Sequence, residues 1–165
     1  MLKRIPIITA FFMAMLITVN TAHAGTLGSL QSGDTPLEEY TGQGKWLVVM
    51  LWASACHVCD EEVPHYNALH LKRHAKDLQV LGISLDGKGG EADAQAFLQR
   101  HDVKFTNLLG EPAQVAGLYS SQTGSRWLGT PSFLLYSPTG ELMARQAGAV
   151  PVESIESFVA KHSEK

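Results

Sequence analysis

The chain has 165 residues, 45% hydrophobic and 18% charged, with 13 basic and 16 acidic side chains. That balance suits one globular domain around a single core. The formal charge of −3 excludes a chain built to neutralise nucleic-acid phosphates or to hold an anionic membrane surface by charge.

The first segment reads as a secretory signal peptide over residues 1–24. Lys3 and Arg4 give a positive start, and Ile5 to Val19 is apolar except for Pro6, Thr9 and Thr18. Ala22-His23-Ala24 then supplies a small-x-small cleavage pattern. The apolar run is short for a spanning helix, which needs roughly 20 residues; an uncleaved anchor is the alternative. Cleavage removes Lys3 and Arg4, which leaves 11 basic against 16 acidic residues and moves the formal charge to −5. Residues 25–36 read as a short N-terminal extension and 37–165 as the domain.

Trp46 to Trp52, WLVVMLW, is a continuous apolar run, the pattern of a strand buried on both faces. Cys56 to about His74 follows as a helix, with Val58, Val63, Tyr66 and Leu69 near helical spacing. Pro64 falls inside it and is expected to kink it. Leu78 to Leu85 reads as a second buried strand, broken by Asp86-Gly87-Lys88-Gly89-Gly90. A helix over Glu91–Arg100, a short strand over Phe105–Leu109 and a helix over Pro112–Tyr119 come next. Ser120 to Gly129 is polar and reads as a loop. Ser132–Tyr136 and Glu141–Gln146 flank the turn Ser137-Pro138-Thr139-Gly140 as a hairpin, and Pro151–Lys161 closes the chain as a helix. This order predicts an α/β fold, a mixed central sheet with helices on both faces.

The chain's two cysteines, Cys56 and Cys59, lie three residues apart where the first strand passes into the first helix. At a helix N-terminus, unpaired N–H groups and the helix dipole favour negative charge. A thiol there has its pKa drawn from about 8.5 toward roughly 3.5–7.5. Cys56 is therefore expected as the exposed attacking sulfur and Cys59, one turn in, as the buried resolving one. Exchange then runs through a mixed disulfide. A bridge over so short a loop adds little stability, so a structural disulfide is the weaker reading. A zinc site would have to draw on His57, His65, His70 or His74, because no second cysteine pair exists; solvated helix histidines are the plainer reading.

Glu62 lies three residues after Cys59 on the same helix. A partly desolvated carboxyl there has a raised pKa and exchanges a proton with Cys59; the alternative is an exposed glutamate like Asp60 and Glu61. His57, when protonated, stabilises the Cys56 thiolate, or else sits in solvent with little effect. Gly129-Thr130-Pro131 precedes a strand, and the sequence leaves the Thr130–Pro131 isomer open.

Together these motifs resemble one family. W-A-S-x-C-x-x-C ending a strand, E-x-P beyond the second cysteine, and G-T-P-S-F-L before a hairpin with P-T-G-E are similar to the thioredoxin-like TlpA/ResA/CcmG group of exported thiol–disulfide proteins. The resemblance runs from about Leu37 to the C-terminus. It implies a thioredoxin-like fold, Cys56 as nucleophile, Cys59 as resolving cysteine, Glu62 as the active-site glutamate and Pro131 as a cis-proline facing the disulfide. It implies that the backbone of Thr130 pairs with a bound substrate strand. It also implies exported substrates, such as cytochrome c maturation or oxidase-assembly clients, and a membrane electron donor of the DsbD/CcdA kind.

Three departures stand out. Ala55 replaces the usual tryptophan before the first cysteine, His57-Val58 replaces Gly-Pro or Glu-Pro, and Leu118–Leu128 is longer and more polar than usual. Arg126 and Trp127 are expected at the substrate edge beside Pro131. The expected substrate-contacting set is thus Trp52, His57, Arg126, Trp127, Thr130 and Pro131. The leading expectation is a monomeric periplasmic reductase with no cofactor beyond its disulfide and no bound metal. The alternatives are an oxidase or isomerase, which His57 favours, a copper-binding or copper-delivery module in which thiolates take Cu(I), and a non-enzymatic interaction domain.

Overall fold

The computed structural model describes residues 27–29 and 34–163. The expected signal segment 1–24 lies outside the described residues. Among the described residues, seven strands and four α-helices succeed one another: β1 (Leu27–Ser29), β2 (Asp34–Thr35), β3 (Trp46–Trp52), α1 (His57–Arg73), β4 (Leu78–Ser84), α2 (Glu91–Arg100), β5 (Thr106–Leu109), α3 (Pro112–Thr123), β6 (Ser132–Tyr136), β7 (Leu142–Ala147) and α4 (Val152–Ser163).

The strands form one mixed sheet in the order β2-β1-β5-β4-β3-β6-β7. β3 runs parallel to β4, and β4 parallel to β5. β6 is antiparallel to β3, and β7 antiparallel to β6. The apolar run WLVVMLW becomes the central strand because both its faces are covered, and all seven residues are buried. Its even positions, Trp46, Val48, Met50 and Trp52, pack with Cys59, Val63, Tyr66 and Leu69 of α1, Phe97 of α2 and Ile155 and Val159 of α4. Its odd positions, Leu47, Val49 and Leu51, pack with Val115 and Tyr119 of α3, Leu37 and Leu27. Side chains alternate across a strand, so one segment builds both layers of the core.

Two boundaries differ from the sequence expectation. The segment 25–36, expected as an extension, adds β1 and β2 to the sheet edge beside β5. Leu27 is buried in the second core layer. Helix α3 continues four residues past Tyr119, through Ser120–Thr123, in place of the expected polar loop. Ser120 and Thr123 donate their hydroxyls to the carbonyls of Ala116 and Tyr119, four residues back, so these polar side chains turn onto the helix instead of ending it. Gly124, in the left-handed region at φ 65°, then closes it. Pro64 does not break α1, which continues to Arg73. Its missing N–H leaves the Asp60 carbonyl without that helical partner.

A buried polar lock pins the core beneath the α1 N-terminus. Trp52 Nε1 donates to Asn107 Oδ1 at 2.9 Å, and Asn107 Nδ2 donates to the Phe105 carbonyl at 2.9 Å. The Trp52 ring stacks on Phe97 at 4.5 Å. Gly82 lies between Met50 and Asn107 in the sheet. A Cβ there would overlap Asn107 Oδ1 and sit 2.9 Å from Trp52 Nε1. Gly82→Ala is therefore expected to destabilise the protein by roughly 1–3 kcal/mol, the usual range for an overpacked core. Guanidinium unfolding measures this; an unchanged midpoint would mean that Asn107 moves aside without cost.

Candidate active site

The site forms where β3 ends. Its last residue, Trp52, leads into Ala53–Ala55, and Cys56 caps α1. Cys56 has extended backbone angles (φ −88°, ψ 105°), as an N-cap requires. Its N–H donates to the Ala53 carbonyl at 3.1 Å, and its carbonyl accepts the Asp60 N–H at 3.2 Å. Its sulfur accepts the Cys59 N–H at 3.2 Å. The first helical turn thus points a backbone donor at the Cys56 sulfur, the arrangement that favours a thiolate there.

Cys56 and Cys59 are joined as a disulfide with Cα atoms 5.2 Å apart. Cys56 is half-buried, and Cys59 is fully buried against Val63, Tyr66 and Trp52. Their exposure separates an accessible sulfur from an inaccessible one, as attacking and resolving roles require.

Glu62 is half-buried, unlike the exposed Glu61. Its Oε2 accepts the Val150 N–H at 3.3 Å, and it lines a cavity of about 250 Å³ with His65, Val150, Pro151, Val152 and Glu153. Tyr66, one turn further along α1, donates its hydroxyl to the Val150 carbonyl at 2.8 Å. Burial first, and the Glu62 carboxylate second, push the Tyr66 phenol well above its ordinary range. Tyr66 therefore stays protonated and anchors the Val150 segment that holds Glu62.

The Thr130–Pro131 bond is cis. Pro131 is buried and Thr130 half-buried, and the loop is fixed from below. Ser132 Oγ donates to the Gly129 carbonyl at 2.5 Å, and the Gly148 N–H to the Pro131 carbonyl at 2.9 Å. Arg126 and His57 are exposed, the His57 side chain by 86%. His57 Nε2 lies 3.5 Å from Glu61 Oε1. Trp127 is half-buried and packs on the α3 side of the core.

One member of the expected substrate-contacting set is corrected. Trp52 is 1% exposed, with its indole N–H committed to Asn107, so it supports the site from beneath and touches no substrate. His70 is no more available as a metal ligand: its Nδ1 accepts the Val80 N–H at 3.2 Å. Burial, with the neighbouring His74 and Lys45 charges, lowers its pKa to about 4. Two residues that sequence reasoning did not single out also belong to this end of the sheet. Asp86 hydrogen-bonds Ser54 in the cysteine loop. Leu128, two residues before Thr130, is a large hydrophobic side chain 78% exposed.

Asp60, next to Cys59, ties α1 to α2. Arg100 donates to its Oδ1 at 2.7 Å, and His101 Nε2 lies 2.6 Å from the same oxygen. Those hydrogen bonds, Arg100 first, hold the carboxyl below its ordinary 3.8. A depressed carboxylate pKa stabilises the fold above the unfolded-state value and is lost as pH falls through the folded-state value. The stability gap between wild type and Asp60→Asn should be present at pH 5 and close as pH falls below about 4. Urea melts across this range test it; a gap that persists to pH 2 would remove the ion pair as its cause.

This fold and this site define a protein with a thioredoxin-type fold carrying a redox-capable dithiol at a helix N-terminus. The chain belongs to the AhpC/TSA family, which it matches over residues 19–145. It is 24% identical over 119 residues to the thiol-disulfide oxidoreductase ResA of Bacillus cereus, covering 72% of this chain and 64% of that one. It is 25% identical over 117 residues to ResA of Oceanobacillus iheyensis, covering 71% and 57% respectively. The chain thus spans less than two thirds of the length of either relative. A candidate thiol:disulfide interchange protein DsbE from Chlorobium tepidum superposes with a TM-score of 0.68 at 26% identity, over 83% of this chain and 91% of that one.

Proposed function

We propose that this chain is an exported thiol–disulfide oxidoreductase that reduces disulfides of envelope proteins. The observation that carries this reading is the division of the cysteine pair: a half-buried Cys56 sulfur on the α1 N-terminus and a Cys59 sulfur sealed in the core. The AhpC/TSA match and the ResA relatives support the same chemistry.

In the reduced protein the Cys56 thiolate attacks one sulfur of a client disulfide. The client S–S bond breaks, one client sulfur leaves as a thiolate, and a Cys56–client mixed disulfide forms. Cys59 then loses its proton, with Glu62 as the nearby acceptor, and its thiolate attacks Cys56 Sγ. The second client thiolate leaves, and the Cys56–Cys59 disulfide remains. Two electrons have passed to the client, so the cycle needs an external dithiol; a membrane donor of the DsbD/CcdA kind, with a client from cytochrome c maturation or oxidase assembly, fits the ResA likeness. The reaction uses no cofactor beyond the disulfide.

Client contact falls on the rim above the pair. Ala55 and Val58, both exposed, and Leu128 present apolar surface, and Thr130 lies two residues before β6, where its backbone would pair with a client strand. Arg126 and Trp127 lie on the same loop. The signal pattern over residues 1–24 supports a periplasmic location, and a single small domain works as a monomer. His57, between the cysteines and in solvent, favours the second reading, a dithiol oxidase or isomerase, because a protonated imidazole there stabilises the reduced form.

The reduction potential separates the two. A value near or below about −230 mV supports the reductase, and one near −120 to −180 mV overturns it. Cys59→Ser should accumulate a mixed disulfide with client, whereas Cys56→Ser should form none; equal trapping by both variants would reverse the assigned roles. Arg126→Ala should slow client reduction several-fold while leaving reduction of a small disulfide unchanged. Equal rates with both substrates would take Arg126 off the client surface.

A further inference from the structure

The loop that presents Cys56 is held by a residue from another strand. Asp86 lies just past the end of β4 and reaches across to Ala53–Cys56. Its Oδ2 accepts the Ser54 N–H at 3.0 Å, and its Oδ1 accepts the Ser54 hydroxyl at 2.7 Å. Its Oδ2 also accepts the Ser84 hydroxyl at 2.6 Å, and Ser84 Oγ in turn accepts the Asp86 N–H at 3.1 Å. Three donors on one half-buried carboxylate fix it in place. Ser54 is two residues before Cys56, and Asp86 accepts from both its backbone N–H and its hydroxyl.

The turn that carries Asp86 is itself braced. The Leu85 N–H donates to the Trp52 carbonyl at 2.9 Å and the Gly87 N–H to the Gly110 carbonyl at 3.2 Å. The Lys88 N–H donates to Glu111 Oε1 at 3.0 Å. Gly87 sits at φ 64°, and a Cβ there would lie 2.5 Å from the Glu111 carboxylate, so only glycine fits. Three chain segments therefore converge to aim one carboxylate at the cysteine loop, more than a surface turn requires.

We propose that Asp86 is a positioning residue that keeps the Cys56–Cys59 pair reducing. It acts in two ways with the same sign. It fixes Ser54, which holds Cys56 in register with Cys59 and favours ring closure to the disulfide. It also places a negative charge beside the loop, which opposes the Cys56 thiolate and so disfavours the dithiol form. The other charged groups around Cys56 are engaged or remote from this contact. Asp60 pairs with Arg100 and His101, His57 points into solvent beside Glu61, Glu62 holds the Val150 N–H, and Lys88 is exposed on the turn. Asp86 is the carboxylate bonded to the loop itself.

The inference rests on the oxidoreductase reading, and the experiment keeps the two apart. Wild type, Asp86→Asn, Asp86→Glu and Ser54→Ala are equilibrated with dithiothreitol redox buffers. Alkylation of Cys56 is then followed against pH. Asp86→Asn keeps the size and loses the charge. Its equilibrium constant for disulfide formation should fall about ten-fold, which is about 30 mV toward oxidising, and its alkylation profile should shift to lower pH. Asp86→Glu should recover part of both. Ser54→Ala removes one loop anchor but no charge, so its constant should fall about three-fold with the alkylation profile unmoved. It tests the geometry even where an Asp86 variant fails to fold. Constants within two-fold of wild type in every folded variant, with unchanged pH profiles, would overturn the proposal and leave Asp86 a purely structural residue. A wild-type pair that does not exchange with dithiothreitol at all would instead overturn the oxidoreductase reading.

Discussion

The parallel pairing of β3 with β4, in register from Trp46 opposite Leu78 to Trp52 opposite Ser84, is the constraint on which the rest depends. Parallel neighbours end at the same edge of a sheet, so the loops leaving their C-terminal ends must meet there. After β3 comes the cysteine loop, and after β4 comes Asp86. The antiparallel return of β6 begins at that edge, with Ser132 opposite Leu51, and delivers Pro131 to it. Three loops distant in sequence become one site because of strand direction. This is the edge where open α/β sheets commonly place their chemistry.

The dithiol asks two things of its surroundings that conflict. One sulfur must reach solvent and carry charge, and the other must stay out of it. The strand-to-helix junction satisfies both through helix geometry. The N-cap position leaves Cys56 outside the helix, where the Cys59 N–H points at its sulfur. Three residues on, Cys59 has turned to the core face, in line with Val63 and Tyr66. Side chains at that spacing lie on one face and within bonding reach, so a disulfide closes with little change in backbone.

Much of this was legible in the sequence. WLVVMLW announced a central strand because burial on both faces leaves it no polar position, LQVLGISL read the same way despite Gln79 and Ser84, and the cysteine spacing announced the dithiol. The order of Cys56, Cys59, Glu62 and Thr130-Pro131 marked the family. What stayed hidden depends on partners far along the chain. The core-facing indole of Trp52 is settled by Asn107, 55 residues away, and nothing local to the WAS motif indicates it. Asp86 read as the start of a glycine-rich break, and its reach to Ser54 emerges only once β3 and β4 are paired in parallel. The polar stretch Ser120–Thr123 misled because serine and threonine count against a helix interior, while here their hydroxyls bond the preceding turn.

The same architecture explains how the disulfide can open without endangering the fold. In the chain-entropy picture, a bridge over four residues constrains the unfolded chain by only about 2 kcal/mol, against about 4.7 kcal/mol for a 100-residue loop. The cohesion of this domain lies elsewhere, in two apolar layers fed by one strand and in the Trp52–Asn107–Gly82 lock beneath the site. The cysteine loop hangs from that lock through Trp52 and from β4 through Asp86, and neither attachment involves sulfur. Breaking the S–S bond therefore frees two thiols while their carriers stay fixed. On the proposed oxidoreductase reading, in which the bond breaks and reforms in every cycle, that separation of chemistry from stability is what the cycle requires.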